Sequence, residues 1–179
     1  YISMDDAPQA LKAFRQALDI PSIGEEMKER IYNDMAPLFS YQGLTDDAIQ
    51  VNQHLLDIYR VQGNRLGMAV AQRTVARLFE QKARNDSAVY YYQEACHSAL
   101  AAKDSVTYYS ILAEWAGLQY EIEKNPEMVR ILKEVEQREG ILDKSNIHFI
   151  LARMYKDFGL MDSMAYYSHK VIESGNVEK

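Results

Sequence analysis

The chain has 179 residues, of which 47% are hydrophobic and 26% charged, a balance typical of a folded globular protein. Its net charge of −6 argues against nucleic acid as a partner of this domain, because such binding relies on clustered Lys and Arg. A single cysteine, Cys96, excludes an internal disulfide framework, and the absence of any run of eighteen apolar residues argues against membrane insertion by this chain.

The first two predicted helices are separated by a proline. Apolar residues between Ser3 and Ile20 recur three and four positions apart, and Pro21 disfavours helix at the residue before it. The next helix is predicted from Ser22 to Gln42, because Ser22 and Glu25 have the spacing of a capping box. Pro37 should kink this helix, since proline lacks the amide N–H of a regular turn.

Short polar joins divide the rest of the chain into further helices. A helix capped by Thr45 or Asp46 follows Gly43 and ends at Gly63. The remaining helices are predicted at 64–83, 86–102, 104–124, 125–139 (closed by Gly140), 145–158 and 162–173. No strand is predicted.

The helices repeat in pairs. A small or apolar residue opens each second helix at Ala10, Ala48, Ala88, Val129 and Met164, with separations of 38, 40, 41 and 35 residues. Periods of this size are typical of a solenoid, in which each helical pair buries its apolar face against its neighbours. In the central unit, Ala76, Ala88 and Ala95 should allow close approach, while Phe79 and Tyr92 fill the remaining space.

Four first-helix segments share one pattern, at Met35-Ala36-x-x-Phe39, Val75-Ala76-x-x-Phe79, Ala116-Gly117-x-x-Tyr120 and Leu151-Ala152-x-x-Tyr155. The second helices share the pattern Ala-x-x-x-Phe-x-x-Ala. It is matched fully at Ala10-Phe14-Ala17, closely at Ala88-Tyr92-Ala95 and poorly at Val129-Lys133-Glu136. In both patterns the chain resembles the tetratricopeptide repeat (TPR) family. The resemblance implies an all-α, right-handed superhelical solenoid of antiparallel helix pairs, with about nine helices in about four and a half degenerate repeats. Residues 1–179 would form one repeat domain, expected to be a fragment of a longer protein.

Catalytic and metal-binding patterns are missing from the sequence. The four histidines, at 54, 97, 148 and 169, form no pair four residues apart, so neither a metal nor a cofactor is expected. Cys96 and His97 are adjacent and would point apart on a helix, so Cys96 is expected to pack as a small apolar residue. The consecutive tyrosines should divide between core and surface, because neighbours on a helix face different ways. The chain is therefore interpreted as a non-enzyme.

In the TPR family the first helices line a concave groove. The resemblance places the groove positions at Arg30, Asn33, Tyr41, Arg73, Arg77, Glu80, Gln81, Glu114, Leu118, Glu121, Phe149, Arg153 and Lys156. Arg73 and Arg77 are four residues apart and, with Arg153 and Lys156, could bind a carboxylate or an acidic peptide. A solvated helix face explains the same residues equally well.

The resemblance implies a non-catalytic module for binding a protein or peptide, including an acidic peptide. The aromatic-rich, lengthened repeats resemble those of bacterial regulatory or sensory proteins, on either the cytoplasmic or the extracytoplasmic side of a membrane. The alternative is a regulator domain that binds a short signalling peptide or small ligand in its groove. Binding of chaperone tails is disfavoured, because Pro37, Thr74, Ile111 and Trp115 occupy the clamp positions. Self-association through the terminal helix faces stays open.

Overall fold

The computed structural model describes residues 7–140 and 144–175, and within these ranges it contains nine α-helices and no strand. The helices are α1 (Ala7–Leu18), α2 (Glu25–Tyr41), α3 (Thr45–Gln62), α4 (Arg65–Gln81), α5 (Asn85–Ala101), α6 (Ser105–Glu123), α7 (Glu127–Glu136), α8 (Ser145–Asp157) and α9 (Met161–Gly175). The predicted all-α fold is confirmed. The first four residues of the segment predicted to begin at Ser3 lie outside the described residues.

The helices cluster into two compact units, residues 1–103 and 104–179. In the first unit, α1 packs on α2, α2 on α3, α3 on α4, and α4 on α5. In the second unit, α6 packs on α7 and α8, α7 packs on α8, and α8 pairs with α9. Both units are thus built from consecutive helix pairs, as the repeat pattern predicts. That residues 1–179 act as one domain stays a prediction.

Most helix boundaries follow local signals in the sequence. Asn64 caps α4 by accepting a hydrogen bond from the Gly67 amide at 2.9 Å, and Asp104 caps α6 by accepting from the Thr107 amide at 2.8 Å. Gly63 ends α3 in the left-handed conformation, with φ of +68°. A side-chain acceptor at the start and a left-handed residue at the end satisfy the unpaired backbone groups of a helix terminus.

Three predicted boundaries are wrong. Helix α2 begins at Glu25 with Gly24 at its N-cap, and no capping box forms, because the Glu25 carboxylate instead binds Lys28 at 2.6 Å. Leu44 rather than Thr45 or Asp46 occupies the N-cap of α3. Helix α7 ends at Glu136, three residues before the predicted end. Helix α2 runs without interruption through Pro37, and the kink there stays a prediction.

Small and aromatic residues form the packed interior of the first unit. Ala76, Ala88 and Ala95 are fully buried, as are Tyr92 and, almost completely, Phe79. Alanines let two helix backbones approach closely, and the aromatic rings fill the space beside them. The packing role predicted for these five residues is confirmed.

The second unit has its own core around α6, α7 and α8. Leu132, Val135, Leu151 and Met154 are completely or almost completely buried in it. Gly117 lies at the α6–α8 contact, where a Cβ would lie 3.0 Å from the Ile150 Cδ1 atom, so a larger residue would require the Ile150 side chain to shift.

The tyrosine clusters divide between core and surface as predicted in two of three cases. Tyr92 and Tyr167 are buried, whereas their neighbours Tyr90 and Tyr166 are exposed. Each exposed ring packs edge-on against the next ring along its helix, with centroid distances of 5.3 Å and 5.1 Å. In the third pair, Tyr108 and Tyr109, both rings are half-buried, so the prediction is wrong there.

Candidate functional site

A recess of about 230 Å³ opens in the first unit between helices α2, α3 and α4. Helices α2 and α4 are the first helices of consecutive pairs, and α3 forms the floor between them. The residues that line the recess are Asn33, Ala36, Pro37, Ser40, Asn52, Leu55, Tyr59, Gly67, Val70, Ala71 and Thr74.

Asn52 is a polar residue in the floor of the recess. It is only 3% exposed, and its Nδ2 donates to the Ala48 carbonyl at 2.8 Å. This bond fixes the orientation of the amide, because only the nitrogen can donate to a carbonyl. The Oδ1 atom of Asn52 is therefore left to accept a hydrogen bond from a group that enters the recess.

A second amide, from Asn33, is held at the mouth of the recess by Tyr59. The Asn33 Nδ2 atom lies 3.1 Å from the Tyr59 hydroxyl oxygen. Gly67 makes room for this tyrosine, since a Cβ at position 67 would lie 2.9 Å from the Cγ and Cδ1 atoms of its ring. The absence of a side chain at Gly67 thus positions both Tyr59 and the amide that it contacts.

The two aliphatic hydroxyl groups of the recess, from Ser40 and Thr74, donate within their own helices. Ser40 Oγ donates to the Ala36 carbonyl at 3.0 Å, and Thr74 Oγ1 donates to the Val70 carbonyl at 2.9 Å. Pro37 has no N–H, so the Asn33 carbonyl cannot receive the usual hydrogen bond from four residues on. The recess therefore combines apolar walls with the two asparagine amides and backbone acceptors.

The predicted groove residues of α4 continue beyond the recess. Arg77 is exposed and forms no ion pair with any residue in the described ranges, whereas Arg73 is half-buried. Glu80 accepts a hydrogen bond from the Tyr92 hydroxyl at 3.0 Å, which links α4 to α5, and Gln81 is exposed at the end of α4. Glu80 thus has a structural contact in addition to its predicted groove position.

The predicted groove residues of α2 lie on either side of the recess. Arg30 is exposed one turn before Asn33, and Tyr41 is 61% exposed at the last residue of the helix. Asn33 is the one residue of the three that lines the recess itself.

The second unit presents its predicted groove residues differently. Arg153 Nη2 binds the Glu121 carboxylate at 2.7 Å, and its guanidinium carbon lies 5.9 Å from the centre of the exposed Phe149 ring. Lys156 is exposed and Glu114 half-buried. Because Arg153 is paired with Glu121 inside its own unit, it is less suited than Arg77 to bind an acidic ligand.

Leu118 is a correction to the predicted groove. It is 5% exposed and belongs to the interior, because α6 buries the face on which Leu118 lies together with Ile111. The prediction that Arg73 and Arg77 act together with Arg153 and Lys156 involves both units and stays a prediction.

Sequence reasoning missed most of the recess. The missed side chains include Asn52, Tyr59, Val70 and Thr74. One signal was available for Asn52, which is an amide at an apolar position of the helical pattern between Ala48 and Leu55. A buried polar residue at such a position is informative because it must find a hydrogen-bond partner.

No group of three His, Cys, Asp or Glu side chains is arranged to hold a metal ion within residues 7–140 and 144–175. Cys96 is buried, as expected for a small apolar residue, and burial raises the pKa of its thiol to about 11. The thiol is therefore protonated near neutral pH and is a poor nucleophile. None of the helices in the part of the chain that the structure describes is both long and apolar enough to span a bilayer.

No protein-family model matches the chain, and no curated protein matches it either. Solved structures do match. BtubC (BKLC) from P. vanneervenii has a TM-score of 0.75 at 19% identity, with 97% of this chain and 74% of BtubC covered. The Rap conjugation gene regulator of plasmid pLS20, solved with the Phr* peptide, has a TM-score of 0.81 at 15% identity. That match covers 97% of this chain and 48% of the Rap regulator, so the chain spans about half of its length.

A kinesin light chain of Podospora anserina with nearly identical TPR-like repeats is similar as well. Its TM-score is 0.68 at 13% identity, with 98% of this chain and 90% of that solved chain covered. At such low identities these similarities establish the fold alone. The chain has a TPR-like helical repeat fold.

Proposed function

We propose that the chain is a non-catalytic interaction module of a regulatory protein, and that the recess between α2, α3 and α4 binds a segment of extended peptide. The buried Asn52 amide carries this proposal. An extended peptide has backbone N–H groups that need acceptors, and Oδ1 of Asn52 offers one inside an otherwise apolar recess.

The size of the recess favours a peptide over a self-contained small ligand. Its volume of about 230 Å³ is below the roughly 300–1,000 Å³ of typical small-molecule sites. It suits one side chain of a peptide whose remainder lies along α2 and α4. The exposed Val70 and Tyr41 offer apolar contacts along that path.

Charge favours an acidic segment next to the recess. Arg77 lies on α4 one turn beyond Arg73, and Arg77 is exposed and forms no ion pair with a carboxylate of the described residues. A guanidinium can bind a carboxylate through two parallel hydrogen bonds. Acidic side chains, or a terminal carboxylate, are therefore the expected ligands at this end. The similarity to a regulator solved with a bound peptide supports a peptide as the ligand.

The second candidate is a docking scaffold for a folded partner, favoured by the similarity to kinesin light chain repeats. The two candidates differ in their effect on the chain. A peptide ligand should saturate the module and make it more compact, whereas a folded partner should leave its dimensions unchanged. Small-angle scattering with a selected peptide separates the two.

The test begins with selection of peptides from a random display library on the parent protein, followed by titration of a selected peptide. Asn52→Leu, which keeps the volume and removes the amide, and Arg77→Glu, which reverses the charge, should each weaken binding about tenfold or more. Arg60→Glu is the matched control, because Arg60 is an exposed arginine of α3 outside the recess. Selected peptides whose affinity is unchanged by both groove variants would refute the proposal.

A further inference from the structure

Glu136, the last residue of α7, is surrounded by polar groups from α8 and α9. Its carboxylate accepts hydrogen bonds from Lys170 Nζ at 2.6 Å, from His148 Nε2 at 3.1 Å and from the Tyr167 hydroxyl at 3.2 Å. The side chain of Glu136 is only 14% exposed. One partly buried carboxylate thus ties three helices together, and none of these residues belongs to the proposed peptide site.

The contact with Glu136 determines the tautomer of His148. An ionised carboxylate can only accept, so the Nε2 atom of a neutral imidazole must carry the proton and donate it. The Nδ1 atom is then unprotonated, and it is buried without a hydrogen-bond partner. The side chain is 8% exposed, so bulk solvent has little access to this nitrogen. If His148 takes up a proton, the new Nδ1–H becomes a buried donor with no acceptor.

The charges around His148 also oppose its protonation. Lys170 from α9 already balances the negative charge of Glu136, and Lys144 beside the start of α8 donates to the Glu136 backbone carbonyl. Tyr167 of α9 is neutral and lies beside the Tyr166 ring, and α6 contributes apolar side chains such as Ala113 to this core. A protonated His148 would therefore add an unbalanced positive charge to a partly buried cluster.

The remaining titratable groups that face the cluster come from α7 and α8. The Lys133 ammonium of α7 lies 5.8 Å from the centre of the Tyr155 ring of α8, which in turn stacks on Tyr167 at 5.6 Å.

The directions of the pKa shifts agree with this geometry. Burial lowers the pKa of His148 and outweighs the attraction of Glu136. Burial by itself would raise the pKa of Glu136, but the hydrogen bond and charge of Lys170 bring it below its usual range. Burial raises the pKa of Tyr167 to about 12, so this hydroxyl remains a donor.

We propose that Glu136, His148 and Lys170 form an acid-sensitive latch that holds α9 against α7 and α8 at neutral pH and releases α9 when His148 is protonated. Acid favours the open state because His148 binds a proton less strongly when α9 is closed than when α9 is open. Once α9 opens, His148 is hydrated and titrates near its ordinary pKa of about 6.5, so acid drives the equilibrium towards opening. Glu136 acts in the same direction at lower pH, because protonation of its carboxylate removes the negative charge that strengthens its three hydrogen bonds.

Hydrogen–deuterium exchange of the whole chain, resolved by peptide and corrected for the intrinsic effect of pH, tests the latch. In the parent, protection of α9 should fall about tenfold between pH 7.5 and pH 5.5. This is the largest change that one histidine can produce, because pH 5.5 lies about one unit below its ordinary pKa. Protection of α4 and α5 should not change, and these helices serve as the internal control. Equal protection of α9 at both pH values would overturn the proposal.

Two variants identify the groups responsible. His148→Gln keeps a donor for Glu136 but cannot take up a proton in this range, so the acid-dependent loss of protection should disappear. Glu136→Gln keeps the shape and removes the charge, so protection of α9 should already be reduced at pH 7.5. An unchanged pH response in His148→Gln, or parental protection in Glu136→Gln, would contradict the latch. If His148→Gln does not fold, the pH response of the parent and the behaviour of Glu136→Gln decide the matter.

Discussion

Helices α5 and α7 occupy the same place in consecutive helix pairs, yet they stabilise their units in different ways. In α5 the repeat positions are Ala88, Tyr92 and Ala95, and all three are buried. In α7 the corresponding positions hold Val129, Lys133 and Glu136, and α7 has 10 residues against 17 in α5. The third of these positions is a closely packed alanine, Ala95, in the first unit and a hydrogen-bonded carboxylate, Glu136, in the second.

This difference determines what each unit tolerates. Packed alanines require no hydrogen-bond partners but leave no room for a larger side chain. A partly buried carboxylate needs every one of its donors, because an unpaired charge in the interior is costly. The first unit should therefore be sensitive to volume and the second to the loss of a single charged group.

The largest effect is expected from Glu136→Ala. This substitution leaves Lys170, His148 and Tyr167 without their common acceptor and should lower the free energy of unfolding by about 3 kcal/mol. Urea unfolding followed by circular dichroism measures the change. Glu134→Ala, at an exposed residue of the same helix, is the control and should change stability by less than about 0.5 kcal/mol. Equal effects of both substitutions would show that the cluster adds no stability.

A smaller loss is expected from Ala88→Leu. Position 88 is fully buried where α4 and α5 pack, so the added methyl groups should force the helices apart and cost about 2 kcal/mol. The melting temperature of Ala101→Leu, at an exposed alanine of the same helix, provides the comparison. A variant at position 88 that melts no lower than the parent would mean that the contact can repack freely.

The smallest effect, and a gain, is expected from Ala83→Gly. The turns that follow α2 and α8 place Gly43 and Gly159 at positive φ, but the turn after α4 uses Ala83 at φ of +53°. A left-handed conformation strains an alanine, whereas a glycine loses more chain entropy on folding. The relief of backbone strain should exceed the entropy cost, so Ala83→Gly should raise the free energy of unfolding by about 0.5–1 kcal/mol.

The opposite substitution, from glycine to alanine in the turn after α2, is the control for Ala83→Gly. Gly43→Ala should lower stability by a similar amount, because no atom lies within 4 Å of the added Cβ and only the backbone strain remains. Thermal melts of both variants measure the two changes. Shifts of the same sign would contradict the assignment to backbone conformation.

The sequence by itself determined the helices and their pairing. Apolar spacing and turn residues such as Asn64, Gly63 and Asp104 act within a few positions along the chain, so local chemistry is sufficient to predict them. The boundary errors at α2 and α3 arose where Gly24 and Leu44 occupy the N-cap and no side chain forms the capping hydrogen bond that the sequence predicts. The small and aromatic residues of the repeats were also predictable, because a helical pair must bury that face against a neighbour.

Only the tertiary structure decided which polar groups meet. Asn33 and Tyr59 are 26 residues apart in sequence, and Glu136 binds groups that are 12, 31 and 34 residues away. Helical periodicity places each of these residues on a face but does not say which distant side chain lies opposite. The recess and the latch therefore emerge from the packing of several helices, whereas the helices themselves follow from the local sequence.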